Sequence, residues 1–482
     1  MRDRLKGGSS IQKIWRQIDN DYGGYQRPIN RGPYPLGDQR KGASQSRRGV
    51  LPGVSCECTV FTFADNNFWS STENSAPNAW NQNFNSGNPG NQNNNTKTNA
   101  NYVRAFRRSN QAMNCDLTVS ELFTAYYDCR KTKRNTWNAI QFEQRLERNL
   151  MDLFYDLVEG TYRPGGSIMF VVTQPKAREV WAANFRDRVV HHVMYNRYSP
   201  QFYRTFIHDS YACIPGKGTL HAAERVQHFM RSATNNHTRP AWFLKADVAN
   251  FFVSISKKTL DAQLAKKITD PWWLALTRTI LHNDPTKNVF IKSDVAMLAK
   301  VPHHKSLLNA PKGFGLPIGN LSSQFFANVY MDKLDQYAKH TLKLTRYARY
   351  VDDIVAIGPD GSQLHDKYEK MAAFIDTELG LKLHPHKKEI NMVGHGVNFV
   401  GYIIKPHCTY IRRSTIDGMY RKTRKSVGFE ALRATTNSYL GMLRHANAYR
   451  ERRRLAIHLG TWGAWFNGTL TKLTRAGGTC IL

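Results

Sequence analysis

The sequence predicts an α/β or α+β core, with helices packed on a central sheet, between a basic N-terminal arm and a helical, Arg-rich C-terminal domain. Three features carry that expectation. Apolar residues recur at helical spacing from about residue 117 onward, β-branched apolar runs interrupt them at intervals, and the first hundred residues show neither pattern. With 482 residues, 41% of them hydrophobic and 12% aromatic, the chain is long enough for two or three domains and at least one substantial core.

Residues 1–60, rich in Gly, Arg, Gln and Pro, read as a flexible basic arm. Fourteen asparagines between positions 66 and 101 follow, a low-complexity polar tract for which disorder is the plain expectation. Leu122, Phe123, Tyr126 and Tyr127, then Trp137, Ile140, Leu146, Leu150, Leu153, Phe154 and Leu157, predict two amphipathic helices, the second ended by Gly160 and Pro164. A strand is expected over 167–173 and a helix over 178–196. Further strands are expected over 241–255, 345–357 and 397–404, with helices around 257–283, 320–342 and 363–379 between them. After Tyr410 the chain turns helical and basic, and Arg450, Arg452, Arg453 and Arg454 lie close together.

A formal net charge of +31 calls for a partner with dense negative charge. Nucleic acid is the first candidate, because phosphate contacts require no particular sequence, and an anionic membrane surface is the second. No apolar run reaches the roughly 18 residues of a membrane span, and residues 1–50 lack an apolar signal core. Seven scattered cysteines, an odd number, suit a reducing cytosol, and Cys56-x-Cys58 has no second ligand pair at zinc spacing. A soluble, cytoplasmic, nucleic-acid-associated protein is expected.

The chemistry concentrates in RYVDDIVAIG, residues 349–358, where Asp352 and Asp353 stand inside an apolar run. A buried ionised carboxylate is costly unless something pairs with it. Asp247, in AWFLKADVANFFVSI, sits in a similarly apolar strand. Brought side by side, such carboxylates repel and need a cation, and an all-oxygen donor set suits Mg²⁺ or Mn²⁺. Two ions about 3.5–4 Å apart activate a 3′-hydroxyl and stabilise a leaving pyrophosphate. An isolated Asp-Asp pair is more often a solvated turn; the order of the surrounding motifs is what raises the odds.

From about residue 170 to 405 the sequence resembles the reverse transcriptases in motif order and spacing. REVWAANFRDRVVHH and IHDSYACIPGKGT look like the fingers motifs, ADVANFF the metal-binding palm strand, GLPIGNLSSQFFAN the following loop and helix, and YVDD the catalytic hairpin. LKLHPHKKEI resembles the next palm motif and NFVGYII the primer-grip hairpin. The resemblance implies a right-hand polymerase: an arm over 1–110, N-terminal helices over 117–165, fingers and palm over 166–405, and a thumb over 406–482. It also implies RNA-directed DNA polymerase activity by two-metal nucleotidyl transfer, with template RNA, primer or cDNA and deoxynucleoside triphosphates as partners.

By this resemblance Asp247, Asp352 and Asp353, with the Val248 backbone carbonyl, hold the ions. Phe252 is the expected gate against a ribose 2′-OH, Phe251 being the better candidate for core. Lys217, Arg178 and Arg186 are candidates for the triphosphate, and Lys387 or Lys388 for protonating pyrophosphate, the sequence leaving that last pair open. Ile318, Gly319 and Gln324 are placed near the incoming nucleotide, Gly401 and Tyr402 at the primer, and Arg450 and Arg453 along the duplex. Tyr439 and Tyr449 are expected to pack within the thumb helices.

Many reverse transcriptases carry Gln-Gly where this chain has Ile318-Gly319, and IGNLSSQ resembles the enzymes of diversity-generating retroelements, which misincorporate opposite template adenines. AYYDCRKTKRNTWNAIQFE and NSYLGMLRHANAYR resemble the same group. The Asn-rich tract resembles the C-terminal stretch of the C-type-lectin-fold proteins that such elements diversify; asparagine codons are adenine-rich, so this part of the frame is expected to overlap the template repeat. The group is bacterial or phage-encoded and works with a small helical accessory protein, a further expected partner. The sister readings are a retron, group II intron-type or defence-associated enzyme. A catalytically inactive, lectin-like display protein is the reading from a different class.

Overall fold

The structure, a computed structural model, describes residues 115–131, 136–173 and 176–475, together with the backbone of three strands between Asn67 and Thr96. The chain divides into two units, Met1–Arg107 and Arg108–Leu482. In the first, β1 (Asn67–Ser75), β2 (Asn78–Asn83) and β3 (Gln92–Thr96) form an antiparallel sheet in the order β1-β2-β3. This corrects the expectation of disorder for much of the Asn-rich tract. The register pairs Ser75 with Asn78, so β1 and β2 are joined by a tight connection whose closure costs little chain entropy, and it pairs Gln82 with Gln92 at the connected ends of β2 and β3. The remainder of the arm, with Cys56 and Cys58, lies outside the described residues.

The second unit opens with helices Val119–Arg130, Trp137–Glu143 and Leu146–Val158. Thr118 and Glu121 close a reciprocal capping box at the first, satisfying its leading amides. The second expected helix is divided at 144–145: its first half meets helix Phe185–Tyr203, with Phe142 5.3 Å from Phe185 between ring centroids, and its second half packs on helix Val119–Arg130 with Leu150 and Leu153 in the core.

A helix was expected over 178–196, but residues 178–183 are a strand. β4 (Ser167–Val172) pairs antiparallel with β5 (Arg178–Ala183) and parallel with β7 (Val289–Ile291). Burial alternates along β5, and two of its three inward residues, Glu179 and Trp181, bond each other: the Trp181 indole donates to Glu179 Oε2 at 3.0 Å. Period-two burial defeats a helix, which begins only after Asn184 caps residue 186.

The central sheet is β10-β6-β9-β8, antiparallel throughout: β6 (Trp242–Asp247), β8 (Tyr347–Tyr350), β9 (Asp353–Gly358) and β10 (Glu389–Met392). It is covered on both faces. Leu244, Ala246, Ile354 and Ala356 pack among residues of helices Leu321–Gln336 and Gly361–Leu379, while Phe243, Val355 and Ile357 pack among those of helix Thr219–Thr234 and the C-terminal region. Burial on both sides is why these strands read as unbroken apolar runs. The expected strand over 241–255 stops at Asp247, because Asn250 takes a left-handed φ of 48° and Phe251–Ser254 coils into a short helix.

A small sheet of β11 (Val397–Phe399), β12 (Tyr402–Ile404) and β13 (Thr409–Ile411) follows, then helices Arg413–Lys425, Phe429–Leu443 and Tyr449–His458. Tyr439 is half-buried, but Tyr449 is 59% exposed, contrary to the expectation that it packs; it lies on the outer face under the Arg452 guanidinium, 5.8 Å from the ring centroid. No helix of the described residues is long and apolar enough to cross a membrane.

Candidate active site

Antiparallel register brings the carboxylates together. Asp247, last residue of β6, is the cross-strand partner of Asp353, first residue of β9, and Asp352 occupies the turn between β8 and β9. The Val248 amide donates to the Asp352 carbonyl at 3.2 Å, tying that turn to the end of β6. Beyond β6 the chain continues beside residues 382–384: Ala249 N donates to Lys382 O at 2.8 Å and His384 N to Asp247 O at 2.7 Å.

That pairing delivers Lys387. Its Nζ donates to Asp247 Oδ1 at 2.5 Å, whereas Lys388 turns away to Glu369 Oε1 at 2.8 Å and lies 4.1 Å from the Tyr368 ring centroid. Of the two lysines, Lys387 is the one that stands at the carboxylates. Lys245 stands further off, 3.9 Å from Asp353 Oδ1.

The electrostatics express crowded negative charge. Burial, then the charges of Asp247 and Asp353, push Asp352 up to about 6, with Lys387 opposing. Burial also raises Asp353, opposed by Lys245 and Arg412 and reinforced by Asp247. Among the described residues no three carboxylate, imidazole or thiolate groups already stand as a closed cation cage, and the ammonium of Lys387 takes one Asp247 oxygen. The donor set nonetheless fits hard divalent ions: it is all oxygen, and the upward shift of Asp352 is relieved by added positive charge.

The other expected residues distribute as follows. Phe251 is buried and Phe252, half-buried, stacks edge-on to it at 5.2 Å between centroids; the Phe252 carbonyl accepts from Leu316 N. Ile318 O accepts from Trp181 N at 2.6 Å, and a Cβ at Gly319, whose φ is 124°, would lie 2.8 Å from Trp181 O. Glycine is thus required where the loop crosses β5. Arg178 and Gln324 are exposed. Lys217 is tied back, donating to His208 O at 2.5 Å and Ser210 O at 3.2 Å. Arg186 is bound to Asp156 at 2.5 Å and lies 5.0 Å from the Tyr162 ring centroid. Gly401 forms the β11–β12 turn at φ 97°, and the Tyr402 ring is buried. Arg450 and Arg453 are exposed on helix Tyr449–His458.

Residues 174–404 match the family model for reverse transcriptase (RNA-dependent DNA polymerase). That segment, just under half of the chain, is a reverse transcriptase domain. The domain is an RNA-directed DNA polymerase, a nucleotidyltransferase, of a family that works with divalent metal ions. Among curated proteins, Protein YkfC of Escherichia coli (strain K12) is 22% identical over 300 residues, covering 55% of this chain and 73% of its own. Among solved structures, telomerase from Candida albicans, in complex with a fragment of telomeric RNA, aligns with a TM-score of 0.40 at 9% identity over 65% of this chain. Apo telomerase from Candida tropicalis aligns with 0.39 at 10% over 61%. The chain spans 60% and 56% of those two telomerase chains.

Sequence reasoning overlooked Lys245, Arg412 and Arg349 around the reverse transcriptase site. Arg349 was in plain view beside YVDD, but nothing in its spacing announces the partner, Asp335, that it meets across the fold.

Proposed function

We propose that the chain copies an RNA template into DNA for a diversity-generating element, with misincorporation opposite template adenines. The observation that carries the polymerase part is the cross-strand pair Asp247–Asp353 beside the Asp352 turn, with Lys387 on Asp247. Asp247, Asp352, Asp353 and the Val248 carbonyl would hold two Mg²⁺ or Mn²⁺ ions, which supply Lewis-acid activation of a primer 3′-hydroxyl and charge neutralisation at the triphosphate. Lys387 holds a proton at Nζ in position to pass to departing pyrophosphate. Phe252 closes the site against a 2′-hydroxyl. Arg178 and Lys217 serve the triphosphate, the latter after release from its carbonyl partners. Ile318, Gly319 and Gln324 bound the pocket of the incoming nucleotide, where an aliphatic group at 318 offers no amide to read the base.

In this reading residues 166–405 are fingers and palm, 406–482 the thumb, and 117–165 the helices that support the fingers. The Asn-rich tract is the translated echo of an adenine-rich template repeat, and a small helical accessory protein joins the RNA in the working complex. Primer extension on RNA tests the enzyme: Asp352→Ala should abolish synthesis, and retained synthesis would remove the site. Ile318→Gln should lower errors opposite adenine, and an unchanged error spectrum would remove the mutagenic role. The flanking DNA should contain a second, nearly identical repeat differing mainly at adenines.

A further inference from the structure

The buried group that the mechanism does not use is Arg349, immediately before the Tyr350–Asp353 hairpin. It is 1% exposed, in the sheet core. Its guanidinium forks onto Asp335, Nε reaching Oδ1 at 2.8 Å and Nη2 reaching Oδ2 at 2.6 Å. Nη2 also donates to Ser210 Oγ at 3.1 Å, and Nη1 to Asn328 Oδ1 at 3.3 Å. Asp335 accepts a second donor, the Tyr347 hydroxyl, at 2.8 Å, while Asn328 donates to Ala212 O at 2.7 Å. Its fifth contact differs in kind: Nη1 donates to the Val351 carbonyl at 2.9 Å.

Val351 is where the backbone needs help. Its φ is 56°, a left-handed conformation that a β-branched residue resists, and the next residue is Asp352. Two hydrogen bonds from outside the turn hold it in that shape, Arg349 Nη1 to Val351 O and Val248 N to Asp352 O. A buried ion pair is a poor device for stability alone, since apolar residues of equal volume do as well. An apolar pair supplies no donor to the Val351 carbonyl.

We infer that the Asp335–Arg349–Asn328 cluster is a clamp that fixes the left-handed Val351 turn and so places the Asp352 carboxylate for metal binding. Arg349 is thus a positioning residue for nucleotidyl transfer. The cluster ties together helix Leu321–Gln336, strand β8 and the 209–212 segment, whose Ser210 and Tyr211 pair with the Arg349 backbone. The clamp therefore joins the nucleotide-facing helix to the catalytic turn in one rigid unit.

The inference rests on the polymerase reading of the site, and the test separates the two. Asp335→Asn with Arg349→Gln removes both charges at once and leaves no lone buried ion. In the full chain this double variant should fold with cooperative thermal unfolding. Its kcat should fall by about 10²-fold, because a carboxylate is misplaced by the order of an ångström. KM for deoxynucleotides should stay within about threefold. Mn²⁺ binding without nucleotide, followed by electron paramagnetic resonance, should weaken about tenfold or more. Adding Val351→Gly, which adopts positive φ freely, should recover part of the kcat loss; a merely structural role for Arg349 predicts no such rescue.

Should the double variant fail to fold, Arg349→Lys decides by the same readouts, since it keeps the charge opposite Asp335 but loses the fork. A folded variant with wild-type kcat and wild-type Mn²⁺ affinity would overturn the clamp. If Asp352→Ala also stays active, the site reading fails first; if Asp352→Ala is dead, only the clamp fails.

Discussion

Residue chemistry at this site is dominated by carboxylate crowding. Asp352 binds its proton with a pKa of about 6 when folded and about 3.8 when unfolded, so the native state holds more protons between those values. Its contribution to metal-free stability is therefore greatest below about pH 4 and is lost as pH rises to about 6. Asp352→Asn removes that dependence. Its melting temperature without divalent ions should exceed that of the wild type by a margin that grows from pH 4 to pH 6 and then levels, in scanning calorimetry with EDTA. A margin that shrinks over this range would contradict the crowding. The two adjacent phenylalanines divide labour in the same local way. Phe251→Ala should cost about 3–5 kcal/mol in denaturant unfolding, as a buried aromatic does. Phe252→Ala should leave more stability intact while raising ribonucleotide use in single-nucleotide extension.

Elements hold these residues where single side chains cannot. The helix Phe185–Tyr203 buries His191 and half-buries His192: burial lowers His191 to about 3 and His192 to about 4. Their folded pKa values lie below the unfolded value of 6.5, so the stability of the neutral forms is complete above about pH 6.5 and is lost as pH falls towards 4. This opposes the Asp352 effect in the same window, which is why comparison of variants, not one melting curve, separates them. His191→Asn with His192→Asn should flatten the acid side of the profile relative to wild type. Strand β5 has its own anchor, Glu179, which accepts from the Trp181 indole, Ser306 Oγ and Leu307 N. Glu179→Ala leaves three buried donors unmatched and should destabilise by several kcal/mol, each orphan donor costing about 1–3 kcal/mol.

At the scale of the molecule, the excess of 68 Lys and Arg over 37 Asp and Glu governs affinity for nucleic acid. Each phosphate neutralised contributes about −0.7 to −0.9 to the slope of log affinity against log salt. Arg450→Ala and Arg453→Ala should each lower the magnitude of that slope by about 1 in template-primer titrations, without altering sequence preference. A slope unchanged in both would show that this exposed helix face does not follow the duplex.

The same residues mark how far a chain can be read before it folds. Asp247, Asp352 and Asp353 were legible because acids in apolar strands are chemically conspicuous, and the helices because their apolar spacing is long and regular. β5 was misread because REVWAA is as compatible with a helix as with a strand until Glu179 and Trp181 find each other and Ser306. The strands of the Asn-rich tract escaped composition, since backbone pairing needs no apolar side chains. Tyr449 was misplaced because helical periodicity says which residues share a face, and not which face the fold covers. Lys387 and Lys388, adjacent and identical, differed only once residues 382–384 paired alongside the end of β6.

The sequence by itself determined which acidic groups stand in apolar strands, the excess of positive charge and the order of the motifs, because these depend on residue type and local spacing. Only the tertiary structure decided which lysine meets Asp247, that Tyr402 is core, and that Arg349 reaches from Asp335 to the Val351 carbonyl. Those are contacts between residues distant in the chain or facing opposite sides of one element, and their geometry is set by how strands register and helices pack.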